Sequence, residues 1–309
     1  MILAEVAVEP TVFDDWKDFR YVFEKFGFDK GPLVSRFPKG WLRMALEHAG
    51  ELRRSGSVTD LQYARIEESL RRYKHDRMTI SSRQYDPRRS WQGNAVEQHS
   101  VTPFWLIIAH TGDPACAALR SIDEIDDKTF SALGEARIGR SAEHYAEAAR
   151  LLVRNSREIL FVDPYLSPSR KHVGALWRIL ENSRWEERGV SRVELHLRFD
   201  DRRSPSTDEF SVQCERAFSE WSLRYPGFRV FRWTHDRLPE DFHARYLLTD
   251  VGGIRFDRGF EEPNDVDERR AKVDVAVLSA RVYGELWSYF QRNSSPLRLV
   301  DCWQVSKAT

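Results

Sequence analysis

The chain has 309 residues, 48 Lys plus Arg against 48 Asp plus Glu, 41% hydrophobic and 31% charged residues. That length suits two domains with substantial cores, the composition excludes a disordered chain, and the zero net charge excludes a histone-like mode in which bulk charge holds nucleic acid. No apolar run approaches the roughly 20 residues needed to cross a bilayer. The start MILAEVAVEP lacks the basic and long apolar parts of a signal peptide, and the three cysteines (Cys116, Cys214, Cys302) are odd in number and far apart. The expectation is a cytoplasmic protein with no transmembrane segment, metal or cofactor.

In chain order, Thr11 followed by Asp14 and the stripe Phe13, Trp16, Phe19, Phe23, Phe26 predicts a helix ending at Gly27. Further helices are expected from Gly40 to His48 and from Thr59 to Tyr73, and strands over 78–85 and 103–109. The Asp86-Pro-Arg-Arg-Ser-Trp-Gln-Gly93 segment between those strands reads as a loop. Residues 1–135 thus form an α/β or α+β N-terminal domain without a nameable motif. Its basic runs, Arg71, Arg72, Lys74 and Arg77, then Arg83, Arg88 and Arg89, ordinarily mark solvated faces. If they do more, Arg71, Arg72, Lys74, Arg88, Arg89 and Trp91 are candidate nucleic-acid contacts by charge and stacking.

From residue 136 to 309 strands and helices alternate, which predicts an α/β domain with a largely parallel sheet flanked by helices. Ser141 caps a helix carrying Tyr145, Ala148, Ala149 and Leu152. Strand 159–162 runs into Asp163-Pro-Tyr-Leu-Ser-Pro168, and a helix follows to about Asn182. Val193, Leu195, Leu197 and Phe199 alternate with Arg192, Glu194, His196 and Arg198, the pattern of a half-buried strand with His196 on its wet side. A helix from Phe210 to Trp221, strands 228–233 and 273–278, a helix from Ser279 to about Gln291 and an edge strand 297–303 complete the series. Ligands in such folds sit at the carboxyl ends of strands, here the loops after Val162, Phe199 and Thr249. Asp200-Asp201 reads as a solvated turn, and His110 and His144 have no partner at ligand spacing.

The informative stretch runs from Phe242 to Phe260. As a strand to Thr249 it places Phe242, Ala244, Tyr246 and Leu248 on a core face and His243, Arg245, Leu247 and Thr249 on the other. Imidazole and guanidinium then stand about 7 Å apart along the strand. Val251-Gly-Gly253 predicts a tight hairpin with glycines at positive φ, and the return brings Arg255 or Asp257, then Arg258 and Gly259, back to the same end.

The spacing His243-x-Arg245-x4-Asp250 is similar to the HxKx4D signature of the phospholipase D superfamily, with arginine at the lysine position. The strand entering Asp163-Pro-Tyr165, followed by a helix, resembles the opening of that fold. The resemblance covers 136–309 and none of what precedes. It implies a mixed sheet flanked by helices and a metal-independent phosphodiesterase: His243 attacks phosphorus, Arg245 clamps the phosphate and Asp250 supports a histidine. The superfamily's centre uses two motifs, whereas this chain has one. His235-Asp-Arg237 is a partial echo with Phe242 at the aspartate position, and Gly259-Phe-Glu-Glu stands where a GSxN element is expected. The implied enzyme is therefore a homodimer in which two copies of His243 face each other, one as nucleophile and one as general acid. Bacterial single-motif members are often nucleases, including restriction and phage-defence components, so the resemblance points to a nuclease in prokaryotic defence.

His243, Arg245, Arg258, Gly259 and Phe260 are also similar to the non-catalytic phospholipase-D-like C-terminal domain of MIT-domain proteins. That resemblance implies a phosphate-recognition module for nucleic acid, a phospholipid headgroup or a partner protein. Arg245, Arg258, Gly259, Ser167 and Lys171 are the candidate phosphate contacts.

Overall fold

The computed structural model describes residues 1–126, 128–183, 189–225, 227–234, 244–291 and 295–304. It divides into two compact units, Leu3–Gly134, and Glu135–Thr309 with Met1–Ile2. Among the described residues no helix is long and apolar enough to cross a membrane.

In the N-terminal unit, β1 (Ala4–Val8), β2 (Pro32–Ser35), β3 (Met78–Thr79), β4 (Leu106–Ala109) and β5 (Leu119–Ser121) form a parallel sheet ordered β3-β2-β1-β4-β5. β1, β2 and β4 are almost wholly buried, so they read as apolar runs without alternation. The first helix, α1 (Trp16–Phe23), starts later than Thr11 because Val12 and Phe13 are themselves core residues. Asp15 caps it, accepting from the backbone N–H groups of Lys17 (2.6 Å) and Asp18 (2.9 Å). α2 (Trp41–Ser55) runs about two turns beyond the expected His48, and α3 (Asp60–Asp76) opens with a capping box between Thr59 and Gln62. Strand 78–85 shrinks to two residues, since Arg83 leaves the sheet to pair with Glu5 at 3.0 Å. α4 (Trp91–Val101) replaces the end of the expected loop. Ser90 caps it, and its buried residues, Trp91, Asn94 and Ala95, make no repeating apolar stripe.

The C-terminal unit contains β6 (Glu135–Gly139), α5 (Ala142–Asn155), β7 (Glu158–Val162), α6 (Arg170–Leu180), β8 (Arg192–Arg198) and α7 (Thr207–Arg224). It continues with β9 (Phe228–Thr234), β10 (Arg245–Thr249), β11 (Gly252–Phe256), α8 (Val266–Arg270), β12 (Lys272–Val277), α9 (Ala280–Tyr289) and β13 (Arg298–Trp303). Its eight strands are ordered β13-β9-β8-β7-β10-β11-β12-β6. β7, β8 and β9 are parallel and the other pairings antiparallel, so this sheet is mixed rather than largely parallel, and the chain is α/β with one parallel and one mixed sheet. α5 lies on β6, β10 and β11, while α9 covers the opposite face, where Leu160, Val162, Leu248 and Leu278 join one core.

Three expectations change here. β8 has no wet face: Glu194 and His196 are 2% and 1% exposed, because α9 covers that side. Trp233 Nε1 donates to His196 Nδ1 (3.1 Å), which leaves Nε2 to donate to Glu194 (3.2 Å), and Arg192 reaches the same carboxylate oxygen at 2.6 Å. Second, β10 runs antiparallel to β7, so the loop after Thr249 lies at the opposite end of the sheet from the loop after Val162. Third, Thr249 pairs with Gly252, which makes Asp250-Val251 the two-residue turn and places both glycines in β11. Neither has positive φ. Gly253 packs closely instead: a Cβ there would lie 2.7 Å from Leu278 Cδ1, so that side chain would have to shift to admit one.

Candidate functional site

β7 ends at Val162, and the next residue, Asp163, is 2% exposed. Its Oδ1 accepts from Tyr165 N (2.9 Å) and its Oδ2 from Phe260 N (3.4 Å), so one carboxylate ties the loop after β7 to the loop after β11. Burial raises its pKa to about 6, outweighing those N–H groups and the Arg245 charge, which both lower it. Arg245 opens β10 on the same edge. Its Nη1 donates to Asp257 O (2.8 Å), its Nε lies 3.9 Å from Asp163 Oδ1, and its guanidinium sits 4.8 Å from the centre of the Tyr165 ring. Nε is buried with no hydrogen-bond partner among the described residues. Tyr165 is 53% exposed, so this planar cation and its aromatic neighbour stand at the surface of the sheet edge.

The returning loop is held by fit. Gly259 has φ +76° and runs against Asp163, and the next residue, Phe260, is buried edge-to-face on Phe161. Beyond it, Glu261 meets Lys171 Nζ at 2.7 Å and Arg140 Nη2 at 3.8 Å. The hydrogen bond from Lys171 leads the causes that hold Glu261 below the usual carboxylate range. Behind Lys171, His172 is nearly buried. Ser167 Oγ donates to Ser169 Oγ (3.0 Å), and His172 Nδ1 lies 3.1 Å from Ser169 Oγ and 3.3 Å from Ser167 Oγ. Burial first, and Lys171 second, push its pKa down to about 4, so it is neutral at pH 7. The edge thus carries cations, a carboxyl group that titrates near 6 and a neutral imidazole with hydroxyl partners. Such a set suits an anion and proton transfer to or from it.

Of the predicted residues, Arg245, Gly259, Ser167 and Lys171 fall in this region, and Arg258 is an exposed neighbour in sequence. His243, His235 and Arg237 lie outside the described residues. Asp250 is corrected: it stands at the far end of β10, where Oδ1 accepts from Arg157 N (2.9 Å) and Glu158 N (3.2 Å) and fixes the start of β7. It is a structural cap, with no place beside Arg245. Arg140, Asp163, His172 and Glu261 were not singled out in the sequence. Asp163, at a strand end before Pro-Tyr, carried the one available signal.

The proposed nucleic-acid contacts are mostly engaged. Arg71 pairs with Glu67 (2.7 Å), Arg72 with Asp76 (4.0 Å), Arg88 with Asp86 (3.0 Å) and Arg89 with Glu97 (2.6 Å), while Lys74 is exposed. Trp91 is corrected: it is 7% exposed, and its Nε1 donates to Phe37 O (3.1 Å), so it cannot stack on a base. Among the described residues no group of three or more His, Cys, Asp or Glu side chains could hold a metal ion, and the three cysteines are free thiols. No protein-family model matches the chain, and no curated protein matches it.

Proposed function

We propose that the C-terminal unit recognises a phosphodiester at the edge formed by the loops after β7 and β11, with Arg245 as the anchoring cation. The observation that carries this reading is the Arg245 guanidinium. It is oriented by Asp257 O and Asp163, backed by Tyr165, and makes no further hydrogen bond through Nη2 to any described residue. Arginine presents a planar fork to two phosphate oxygens, and orientation by neighbours lowers the entropy lost on binding. Titration calorimetry with inorganic phosphate and with a single-stranded oligonucleotide tests it. Arg245→Ala should weaken both by about tenfold or more, the loss of a charge-assisted contact. Unchanged affinity in a folded variant would end the proposal.

The second reading is that the same unit hydrolyses the phosphodiester without a metal, as a nuclease built from a homodimer with His243 as nucleophile. It is favoured by two groups whose proton affinity burial has shifted, Asp163 next to Arg245 and His172 next to Lys171. Hydrolysis of bis(p-nitrophenyl) phosphate in EDTA, abolished by His243→Ala, is the expected result. A purified protein that binds phosphate yet turns over nothing leaves recognition as the function.

A further inference from the structure

The ion trio Arg140–Glu261–Lys171 is the second feature of this edge. Its carboxylate lies between two cations from different elements, Arg140 just before α5 and Lys171 in the first turn of α6. The loop holding Glu261 is anchored by other groups. Phe260 N donates to Asp163, Tyr145 OH donates to Glu261 O (3.1 Å), Glu262 N donates to Lys171 O (3.0 Å), and the Glu262 carboxylate accepts from Ala142 N (3.1 Å). None of these uses the Glu261 carboxylate, which can leave its cations while the backbone stays in place. The three side chains are 13% (Arg140), 35% (Glu261) and 42% (Lys171) exposed, so an anion from solvent can reach them. Arg140 Nε is also buried with no hydrogen-bond partner among the described residues.

Resting on the reading of Arg245 above, we propose that Arg140 and Lys171 form a second anion subsite filled in the free protein by Glu261. A single nucleic-acid strand would then be the ligand, with one phosphate at Arg245 and another at the Arg140–Lys171 pair. The six residues from Asp257, which accepts from Arg245, to Glu262, which donates to Lys171 O, span at most about 20 Å even fully extended, so the subsites are near neighbours. The exposed residues around them include Asp257, Asp265, Asp267 and Glu268 against Arg258 and Arg270, a net negative set that disfavours an anionic membrane plane.

The test compares inorganic phosphate, a single-stranded oligothymidylate and phosphoinositide vesicles on the full chain. Glu261→Gln should tighten oligothymidylate binding by roughly 5- to 10-fold, because the competing charge is gone. Lys171→Gln should weaken it similarly and lower the salt slope by about 0.7. If Arg245→Ala weakens both soluble probes but Glu261→Gln leaves oligothymidylate binding unchanged or weaker, the subsite is wrong and the Arg245 reading stands. If Arg245→Ala affects neither probe, the underlying reading fails as well. Binding to vesicles without binding to oligothymidylate would also overturn the proposal.

Discussion

Gly259 and Asp163 interlock: a Cβ built on Gly259 would lie 2.3 Å from Asp163 Oδ2 and 3.3 Å from Arg245 Cγ. Because φ there is +76°, a side chain meets backbone strain as well as the clash. Asp163 cannot move aside without giving up the Tyr165 and Phe260 N–H groups. Gly259→Ala is therefore expected to cost about 2–4 kcal/mol and to displace Arg245. Urea unfolding together with phosphate titration checks it; full stability with full affinity would contradict the interlock.

The pH dependence of stability separates two neighbours. His172 titrates near 4 in the folded chain against an ordinary 6.5, so between those values the unfolded chain holds a proton that the folded chain lacks. Its contribution is present above about 6.5 and is lost as pH falls toward 4. Asp163 works in the opposite sense. Its value is raised from 3.8 to about 6, so its contribution is present at low pH and is lost as pH rises through about 6. The two slopes oppose each other between about 4 and 6. His172→Gln should leave only the Asp163 contribution and make stability fall more with rising pH in that window than in the wild type. Asp163→Asn should leave only the His172 contribution and make it rise more. Urea midpoints at pH 4, 5, 6 and 7 decide; parallel curves for the wild type and both variants would refute the assignment.

Glu194 tests the buried ion network of β8. Its carboxylate is the common acceptor for Arg192 and His196, and desolvation, though the largest single effect on it, is outweighed by those two partners. Glu194→Gln keeps the shape but leaves Arg192 facing a neutral amide, with an expected loss of about 2–4 kcal/mol. A variant whose urea midpoint stays within error of wild type would show that Arg192 is served well enough by Glu158 and Gln291, at 3.0 and 2.7 Å.

Element type was legible wherever periodicity and caps agreed, as at Thr59 for α3, Ser141 for α5 and Ser279 for α9. α4 was hidden because its buried side chains follow no helical stripe, and β8 was misread because alternating charge looks the same whether water or a buried network receives it. Strand direction cannot be read from alternation at all, and this is why the loop after Thr249 was placed at the wrong end. Within the site, Arg245 and Gly259 could be anticipated from a local motif. Arg140, His172 and Glu261 could not, because their chemistry depends on contacts between residues up to 121 positions apart, as in Arg140 with Glu261.

Trp91 separates charge from packing in the N-terminal unit. Its ring is buried against Phe37 (centroids 6.2 Å apart), and its Nε1 bonds to the Phe37 carbonyl. Trp91→Ala should cost about 3–5 kcal/mol by leaving a cavity, whereas Trp91→Phe keeps most of the packing and loses about 1 kcal/mol with the hydrogen bond. Any nucleic-acid affinity of this unit should survive Trp91→Phe unchanged, since the indole has no exposed face for a base. A strong loss of oligonucleotide binding in a Trp91→Phe protein of near-native stability would show that the ring leaves its pocket to reach the ligand, and the stacking role would return.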